Sequence, residues 1–166
     1  HSCLVGSEMC IRDSHQADLI GISLSSKIGK ACYIPLNHNS KENINKDLVL
    51  KKLKPLLEDP SIKKIGQNIK FDFIVLLKQG IKLSSMEDTM LMSYVLDAGK
   101  NRHNMDTLSE IHLGHKTIAF KDLVGTGKKE INFSEVDLEK AKNYAAEDAD
   151  ITYRPVSYTH LRAHET

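Results

Sequence analysis

The chain has 166 residues, a formal net charge of +1 and an apolar fraction of 40%. A charge this close to neutral excludes a strongly basic surface, so any nucleic-acid site must be local. No apolar run approaches the roughly 20 residues that a transmembrane helix needs, which predicts no membrane association. The length suits a single domain with one core.

The two ends of the chain are related to each other in an unusual way. Residues 4–14 read LVGSEMCIRDS, and residues 156–166 read VSYTHLRAHET. One short DNA sequence, translated on opposite strands, encodes both, and it resembles a transposon-type adapter used in sequencing libraries. Natural termini have no reason to share coding DNA. We therefore predict non-native arms at residues 1–14 and 155–166, and a native domain at residues 15–154 that is cut at both ends.

Between the arms, strand patterns and helix patterns follow each other. Two apolar, β-branched runs predict a hairpin with strands at residues 17–26 and 30–36 and a turn at residues 27–29. A stripe of leucine and valine at helical spacing predicts a helix over residues 45–58. Pro55 lies inside this helix and favours a kink or an early end.

The rest of the native part continues the alternation. A short strand is predicted at residues 63–67. Four further helices are predicted at residues 69–79, 88–96, 105–113 and 136–153. Gly80 and Gly114 are placed to end two of them, and residues 116–132 are polar and predicted to be irregular. A hairpin followed by alternating strands and helices indicates an α/β fold, with a mixed sheet and helices packed on it.

Two pairs of polar residues are each separated by one helical turn. Tyr144 and Asp148 lie in the final predicted helix, and Asn68 and Asp72 lie where an apolar strand turns into a helix. Residues four apart project from the same face of a helix. Carboxylates are the ligands that hard divalent ions prefer. The two pairs therefore predict a divalent-metal site built from separate elements.

Each of these residues also has a structural interpretation. Asn68 could cap the helix that starts beside it, and a lone residue such as Asp72 is usually solvated or capping. Tyr144 alone fits ordinary half-buried packing. Glu147 and Asp150 lie on other faces of the final helix and are predicted to be solvated.

Other charged residues are assigned structural roles. Asp88 and Asp106 are predicted to start helices rather than to bind metal. His112 and His115 have a metal-like spacing without an evident partner ligand, so surface or packing roles are predicted. The lysine-rich segment at residues 46–64 is predicted to form a solvated helix face.

Several motifs together resemble one known family. IGQNIKFD and YAAEDADIT resemble the second and third exonuclease motifs of the proofreading domain in bacterial DNA polymerase I, a family A DNA polymerase. KPLLED, RHNMDTL, HKTIAF and GTGK match the same subfamily in order and at similar spacing. The resemblance covers nearly all of residues 15–154. Stand-alone relatives such as ribonuclease D share only the metal-site motifs.

This resemblance implies a fold, a reaction and a cofactor. The fold is ribonuclease H-like, and the reaction removes nucleotides from the 3′ end of single-stranded DNA with two divalent metal ions, Mg²⁺ or Mn²⁺. In that scheme Asp148 would ligate the ion that activates water, and Asp72 would hold the second ion. Tyr144 would orient the attacking water through its hydroxyl group.

The same resemblance implies contacts with the nucleic acid. Gln67, Asn68 and Phe71 would flank the primer terminus, and Arg102 would contact a phosphate. Many relatives have tyrosine in place of Phe71, which keeps a stacking ring but lacks the hydroxyl group. The parent chain would be monomeric and would continue into a polymerase domain beyond residue 154.

One family motif is missing. The first motif, Asp-x-Glu on the opening strand, supplies two of the family's four carboxylates and should lie just before residue 15, where the first arm stands. Glu8 falls near the right distance, but its origin in the arm makes this accidental. We therefore predict that the first, central strand is replaced or missing and that the fragment has little or no exonuclease activity.

Two other functions stay open at this point. One is a vestigial, non-catalytic exonuclease-like domain that acts as a scaffold or DNA-binding module. Retention of Asp72, Tyr144 and Asp148 disfavours it. The other is a stand-alone, ribonuclease D-like exonuclease acting on RNA or DNA, which HKTIAF and GTGK disfavour.

Only Cys32 among three cysteines lies outside the arms, so no internal disulfide is possible in the native part of the chain. This favours a reducing compartment, the cytoplasm.

Overall fold

The computed structural model describes residues 2–9 and 18–164, and the side chains of residues 18–154. Five strands form one sheet in this part of the chain. They are β1 Ser2–Met9, β2 Leu19–Lys27, β3 Lys30–Pro35, β4 Lys63–Gly66 and β5 Met86–Asp88. Their order is β3-β2-β1-β4-β5. The β3-β2 and β2-β1 pairs are antiparallel, whereas the β1-β4 and β4-β5 pairs are parallel, so the predicted mixed sheet is confirmed.

Six α-helices accompany the sheet in the same part of the chain. They are α1 Lys46–Glu58, α2 Ile69–Lys78, α3 Thr89–Leu96, α4 Met105–Leu113, α5 Phe120–Val124 and α6 Leu138–His164. Short 3-10 turns at Gly127–Lys129 and Phe133–Glu135 connect α5 to α6. Every helix among the described residues is too short or too polar to span a lipid bilayer.

β1 occupies the centre of the sheet. The backbone of Leu4 pairs with Ser25 of β2 on one side and with Ile65 of β4 on the other. A strand is therefore present at the position where the sequence predicted one replaced or missing. Because backbone pairing does not reveal the origin of a strand, its replacement by the first arm stays a prediction.

The helices cover the two faces of the sheet with different cores. Ile22 of β2 packs with Leu57 of α1 and Leu76 of α2, and each of these side chains is fully buried. On the other face, Ile65 of β4 packs with Ala149 of α6. α6 therefore lies against the sheet through a small residue, which allows its backbone to approach closely.

Local signals explain most of the helix boundaries. The Asn45 side chain accepts a hydrogen bond from the backbone N–H of Leu48 (2.9 Å) and begins α1. Gly80 (φ 79°) and Gly114 (φ 61°) follow α2 and α4 in the left-handed conformation that glycine adopts most readily, as predicted. α1 does not end early at Pro55, because Leu57 in its last turn is buried in the core.

Four predictions about this part of the fold were wrong or incomplete. Strand β5 was not predicted, because three residues at a sheet edge carry no periodic pattern. Helix α5 lies inside the segment predicted to be irregular, and α6 extends from Leu138 to His164 rather than over residues 136–153. Lys64 is fully buried instead of solvated, because its ammonium group donates hydrogen bonds to the carbonyl groups of Asp59 and Ile62 (2.7 Å for Ile62).

Candidate active site

The candidate site is centred on α6. Tyr144 and Asp148 lie one turn apart on this helix, and a hydrogen bond from the Tyr144 hydroxyl group stabilises the charged form of the Asp148 carboxyl group. Ala141, Ala145 and Ala149 are buried, so this part of α6 presents small residues to the rest of the fold. The predicted pairing of a phenol with a carboxylate on one helix face is therefore present in the structure.

The electrostatic surroundings of Asp148 disfavour a bare negative charge. Burial raises the pKa of its carboxyl group from 3.8 to about 7. The hydrogen bond from Tyr144 opposes this increase, whereas the carboxylates of Glu147 and Asp106 add to it. A buried carboxylate that is surrounded by like charges is stabilised in its ionised form by a cation.

Asp72 lies in the first turn of α2 and is only 7% exposed. The start of this helix is fixed by a carboxylate from another element. Asp88, at the end of β5, accepts hydrogen bonds from the backbone N–H groups of Asn68 (3.1 Å) and Ile69 (3.0 Å). It also accepts one from Met90 (2.9 Å) at the start of α3. Asp88 therefore caps two helices at once, which confirms its predicted structural role and holds the turn that carries Asp72.

Asn68 does not cap α2 through its side chain, so that structural interpretation was wrong. Asp88 already satisfies the first N–H groups of the helix. The Asn68 backbone is left-handed (φ 56°) and its side chain is exposed. An exposed amide at the start of α2 is free of a capping role and is available to a ligand.

Gln67 is engaged with its neighbours. Its Nε2 donates to the His103 carbonyl group (2.8 Å), and its Oε1 accepts from the hydroxyl group of Thr89. Gln67 also lines a small cavity together with Thr152 of α6. Thr152 in turn donates to the Asp148 carbonyl group (2.8 Å). The end of β4 and the turn of α6 that carries Asp148 therefore meet at one cavity.

Phe71 and Arg102 occupy contrasting environments. Phe71 is half-buried and packs against the core beneath α1 and α2. Arg102 is exposed and forms no hydrogen bond or ion pair with any of the residues that the structure describes. Its neighbour His103 is held in place by Ser93, whose hydroxyl group lies 2.9 Å from Nδ1.

The predictions for Glu147 and Asp150 were wrong, because neither carboxylate is simply solvated. Glu147 contacts Nε2 of His115 (2.7 Å) and accepts from the backbone N–H of Ile118 (2.8 Å). Asp150 accepts from the backbone N–H of Gly29 (2.6 Å) in the β2-β3 turn. Side chains on the flanks of α6 reach across to segments that are distant in the sequence, and no pattern within the helix reveals such partners.

The other acidic and histidine residues fit structural roles in the main. Asp106 lies in the first turn of α4, where Asn104 is the capping position, and it accepts from the hydroxyl group of Thr117. His115 is half exposed, in agreement with a surface role, although it pairs with Glu147. Within the described part of the chain, no group of three or more His, Cys, Asp or Glu side chains could hold a metal ion.

An aromatic cluster beside Tyr144 was not predicted. The rings of Phe120 and Phe133 lie 5.8 Å and 6.1 Å from the Tyr144 ring and are stacked on each other at 5.9 Å. Phe133 is buried, whereas Phe120 is 42% exposed. The three residues come from α5, a 3-10 turn and α6, so only the presence of HKTIAF and its terminal Phe120 could have drawn attention to this contact.

Comparisons with known proteins agree on one family. A model of the 3′-5′ exonuclease family matches residues 6–162. DNA polymerase I of Pseudomonas aeruginosa is 45% identical over 148 residues, covering 86% of this chain and 16% of that protein. DNA polymerase I of Rhizobium leguminosarum is 44% identical over 163 residues, with the same two coverages. The chain thus spans 16% of the length of these curated relatives.

Solved structures share the fold at low sequence identity. NrnC of Brucella melitensis has a TM-score of 0.75 at 21% identity, covering 99% of this chain and 74% of that one. A structure of the same protein with bound Mg²⁺ has a TM-score of 0.73, at 21% identity and the same coverages. Ribonuclease D of Escherichia coli has a TM-score of 0.72 at 16% identity, covering 99% and 40%. The ribonuclease H-like class predicted for the fold is confirmed, and the chain belongs to the family of 3′-5′ exonuclease domains found in DNA polymerase I.

Proposed function

We propose that this domain hydrolyses the 3′-terminal phosphodiester bond of single-stranded DNA with the help of two divalent metal ions, Mg²⁺ or Mn²⁺. The observation that carries the proposal is the Tyr144–Asp148 pair on α6, in which a carboxyl group with a pKa raised to about 7 lies beside a phenol. Family membership gives the reaction class, and the environment of Asp148 indicates a need for a cation. The rest of a longer parent protein would supply a polymerase domain.

The side chains that could bind the proposed ions have the ligand atoms that these ions prefer. Asp72 and Asp148 offer carboxylate oxygens, which Mg²⁺ and Mn²⁺ prefer over nitrogen or sulfur. When bound, the two ions would supply a nucleophilic water at neutral pH and stabilise the leaving 3′ oxygen. Two carboxylates are few for two ions, so the remaining ligands would have to come from the central strand, which carries the first motif in the family.

The protein groups then have distinct tasks. The Tyr144 hydroxyl group lies within reach of the Asp148 carboxylate and would hold the attacking water in line with the phosphorus. The exposed amide of Asn68 and the anchored Gln67 at the end of β4 would bind the terminal nucleotide. Phe71 would flank the terminal nucleotide with its ring, and Arg102 would bind a phosphate.

We further propose that the chain as it stands has little or no exonuclease activity, because the first motif is missing. The central strand reads SCLVGSEM, with a glycine at position 6 and a glutamate at position 8. In the backbone register, Gly6 pairs with Ser23 and Glu8 with Gly21. An aspartate at position 6 would therefore complete an Asp-x-Glu sequence on the central strand with a single substitution.

That substitution gives a direct test. The chain, its Gly6→Asp variant and the matched, uncharged Gly6→Asn variant would each be incubated with Mg²⁺ and 5′-labelled single-stranded DNA. We expect a ladder that shortens from the 3′ end only with Gly6→Asp, and its loss in the Gly6→Asp/Asp148→Ala double variant. Robust activity of the unsubstituted chain would contradict the proposed inactivity.

The same experiment separates the other functions. If circular dichroism shows Gly6→Asp to be folded and the DNA stays intact, the vestigial, non-catalytic function is favoured over the enzyme. A parallel reaction with single-stranded RNA tests substrate choice. Degradation of RNA without degradation of DNA would favour a ribonuclease D-like exonuclease.

A further inference from the structure

Residues 115–118 form a short segment that lies alongside α6, and we call it the strap. It begins after α4 and leads directly to α5, whose first residue is Phe120. The strap has no regular secondary structure, so its backbone groups need partners from outside. Most of the contacts described below come from side chains of the two helices beside it, and the backbone N–H of His115 donates to the Ser109 carbonyl group (3.4 Å).

Glu147 of α6 contacts the strap twice, once at a side chain and once at a backbone N–H. One carboxylate oxygen lies 2.7 Å from Nε2 of His115, and the other accepts a hydrogen bond from the backbone N–H of Ile118 at 2.8 Å. The carboxylate thus contacts residues at both ends of the strap. The Glu147 side chain is only 19% exposed, so water competes weakly for these contacts.

α4 holds the strap from the other side. The hydroxyl group of Ser109 donates to the His115 carbonyl group (2.8 Å), and the hydroxyl group of Thr117 donates to the Asp106 carboxylate. Ser109 is fully buried, so this anchor belongs to the packed interior. The strap therefore bridges α4 and α6, and Glu147 is the α6 side of that bridge.

The position of the strap decides the position of Phe120. The Phe120 ring lies 5.8 Å from the Tyr144 ring and 5.9 Å from the Phe133 ring. Glu147 is one residue before Asp148 and three after Tyr144, so the carboxylate that fixes the strap belongs to the same turn of α6 as the proposed active-site pair. A shift of the strap would move one wall of the site relative to the Tyr144 hydroxyl group.

We propose that Glu147 is a positioning residue, which fixes the strap against α6 and thereby sets the wall of the active site that receives the DNA strand. The inference rests on the proposed function, because it assigns to Glu147 a part in holding single-stranded DNA. Glu147 itself contacts neither the substrate nor a metal ion in this scheme. Its effect passes through His115 and Ile118.

The chain offers a matched control on the same helix. Asp150 also accepts a hydrogen bond from a distant backbone N–H, that of Gly29 at 2.6 Å, and its side chain is 18% exposed. Its partners are the β2-β3 turn and, one turn further along α6, Arg154 (2.6 Å), rather than the strap. Asp150→Ala therefore removes a comparable contact from α6 without loosening residues 115–118.

The first measurement is amide hydrogen exchange in the full chain. A hydrogen bond to a charged group is stronger than one between neutral groups, so Glu147→Ala should accelerate exchange at Ile118 by about tenfold or more. Exchange in the buried turns of α6 should be unchanged. Glu147→Gln keeps a carbonyl oxygen for the Ile118 N–H and should restore most of the protection. Unchanged exchange at Ile118 in Glu147→Ala would overturn the inference.

The second measurement is the affinity for a 5′-fluorescein-labelled oligothymidylate, followed by fluorescence anisotropy in Ca²⁺ to suppress cleavage. We expect Glu147→Ala to weaken binding about tenfold. Glu147→Gln and Asp150→Ala should each weaken it less than threefold. Faster exchange at Ile118 with unaltered affinity would make Glu147 a purely structural residue and overturn the inference. Failure of the unsubstituted chain to bind any oligonucleotide would contradict the proposed function instead.

Discussion

The two faces of the sheet are built in different ways. The face beneath α1 and α2 is closed by leucine, isoleucine and valine side chains, many of them fully buried. The face beneath α6 is closed by small residues such as Ala145 and Ala149 and by aromatic rings, and α6 carries the Tyr144–Asp148 pair of the candidate site. Large apolar side chains supply stability through burial, whereas small residues leave space for polar groups. We therefore expect the first face to dominate stability and the second to dominate function.

The largest effect should follow from a cavity in the α1–α2 face. Leu57→Ala removes a fully buried side chain and should lower the free energy of unfolding by about 2–5 kcal/mol. Urea denaturation monitored by circular dichroism measures this change. Leu48→Ala is the matched control, because Leu48 lies on the same helix and is 48% exposed. An equal loss in the two variants would contradict the assignment of stability to this face.

A substitution on the α6 face should raise the stability of the fold rather than lower it. The pKa of Asp148 is raised from 3.8 to about 7 in the fold, so the protonated carboxyl group stabilises the metal-free chain fully below about pH 4. That contribution is lost as the pH rises through about 7. Asp148→Asn removes the ionisation, so at pH 8 the variant should be the more stable by up to about 4 kcal/mol.

Urea denaturation in EDTA at several values between pH 4 and pH 8 measures the difference between parent and variant. The difference should grow with pH across this range, and excess Mg²⁺ should reduce it at pH 8 by binding the ionised parent. A difference that is constant with pH would refute the raised pKa of Asp148.

The cap shared by α2 and α3 connects the two faces. Asp88→Ala leaves the first N–H groups of both helices without their acceptor and should lower stability by about 2–3 kcal/mol, because each of the two helix caps contributes about 1–1.5 kcal/mol. Asp88→Asn should lower it less, since asparagine also caps helices. Hydrogen exchange at Ile69 and Met90 should accelerate together. Acceleration at only one of them would mean that the two helices are capped independently.

The smallest of these effects tests how tightly the α6 face is packed. A methyl group added at Gly21 would overlap the Tyr33 hydroxyl oxygen and the ring carbon atoms beside it, and that oxygen itself lies 2.6 Å from Nε2 of His38. Gly21→Ala should therefore displace the Tyr33 ring and lower stability by about 1–3 kcal/mol. The stability loss caused by Gly21→Ala should be much smaller in a Tyr33→Ala background, in which the whole ring is absent. An equal loss in the two backgrounds would contradict this steric explanation.

Much of the fold could be predicted from the sequence, because its main signals are local. Asn45, Gly80 and Gly114 mark helix ends through their own side chain or backbone preference, and α4 agrees with its prediction at both ends. Strand β5 and helix α5 could not be found in this way. Each is too short to carry a period, and β5 is stabilised by pairing with β4.

The candidate site shows the same difference between local signals and contacts from distant segments. Tyr144 and Asp148 were predicted as a pair because they lie on one helix, where spacing in the sequence fixes spacing in space. The roles of Glu147 and Asp150 were missed, since their partners His115 and Gly29 come from other segments. Sequence periodicity tells which face of a helix a residue occupies, but not what that face meets.

The hydrogen bond between Gly29 and Asp150 has a consequence for the way the chain folds. It joins residues 121 positions apart, and it fastens the tip of the first hairpin to the last helix. One face of the sheet is covered chiefly by that helix, so the hairpin can finish packing only after α6 has been made. During synthesis the domain can complete its fold only after α6 has left the ribosome. Until then one face of the sheet exposes apolar side chains of the kind that chaperones bind.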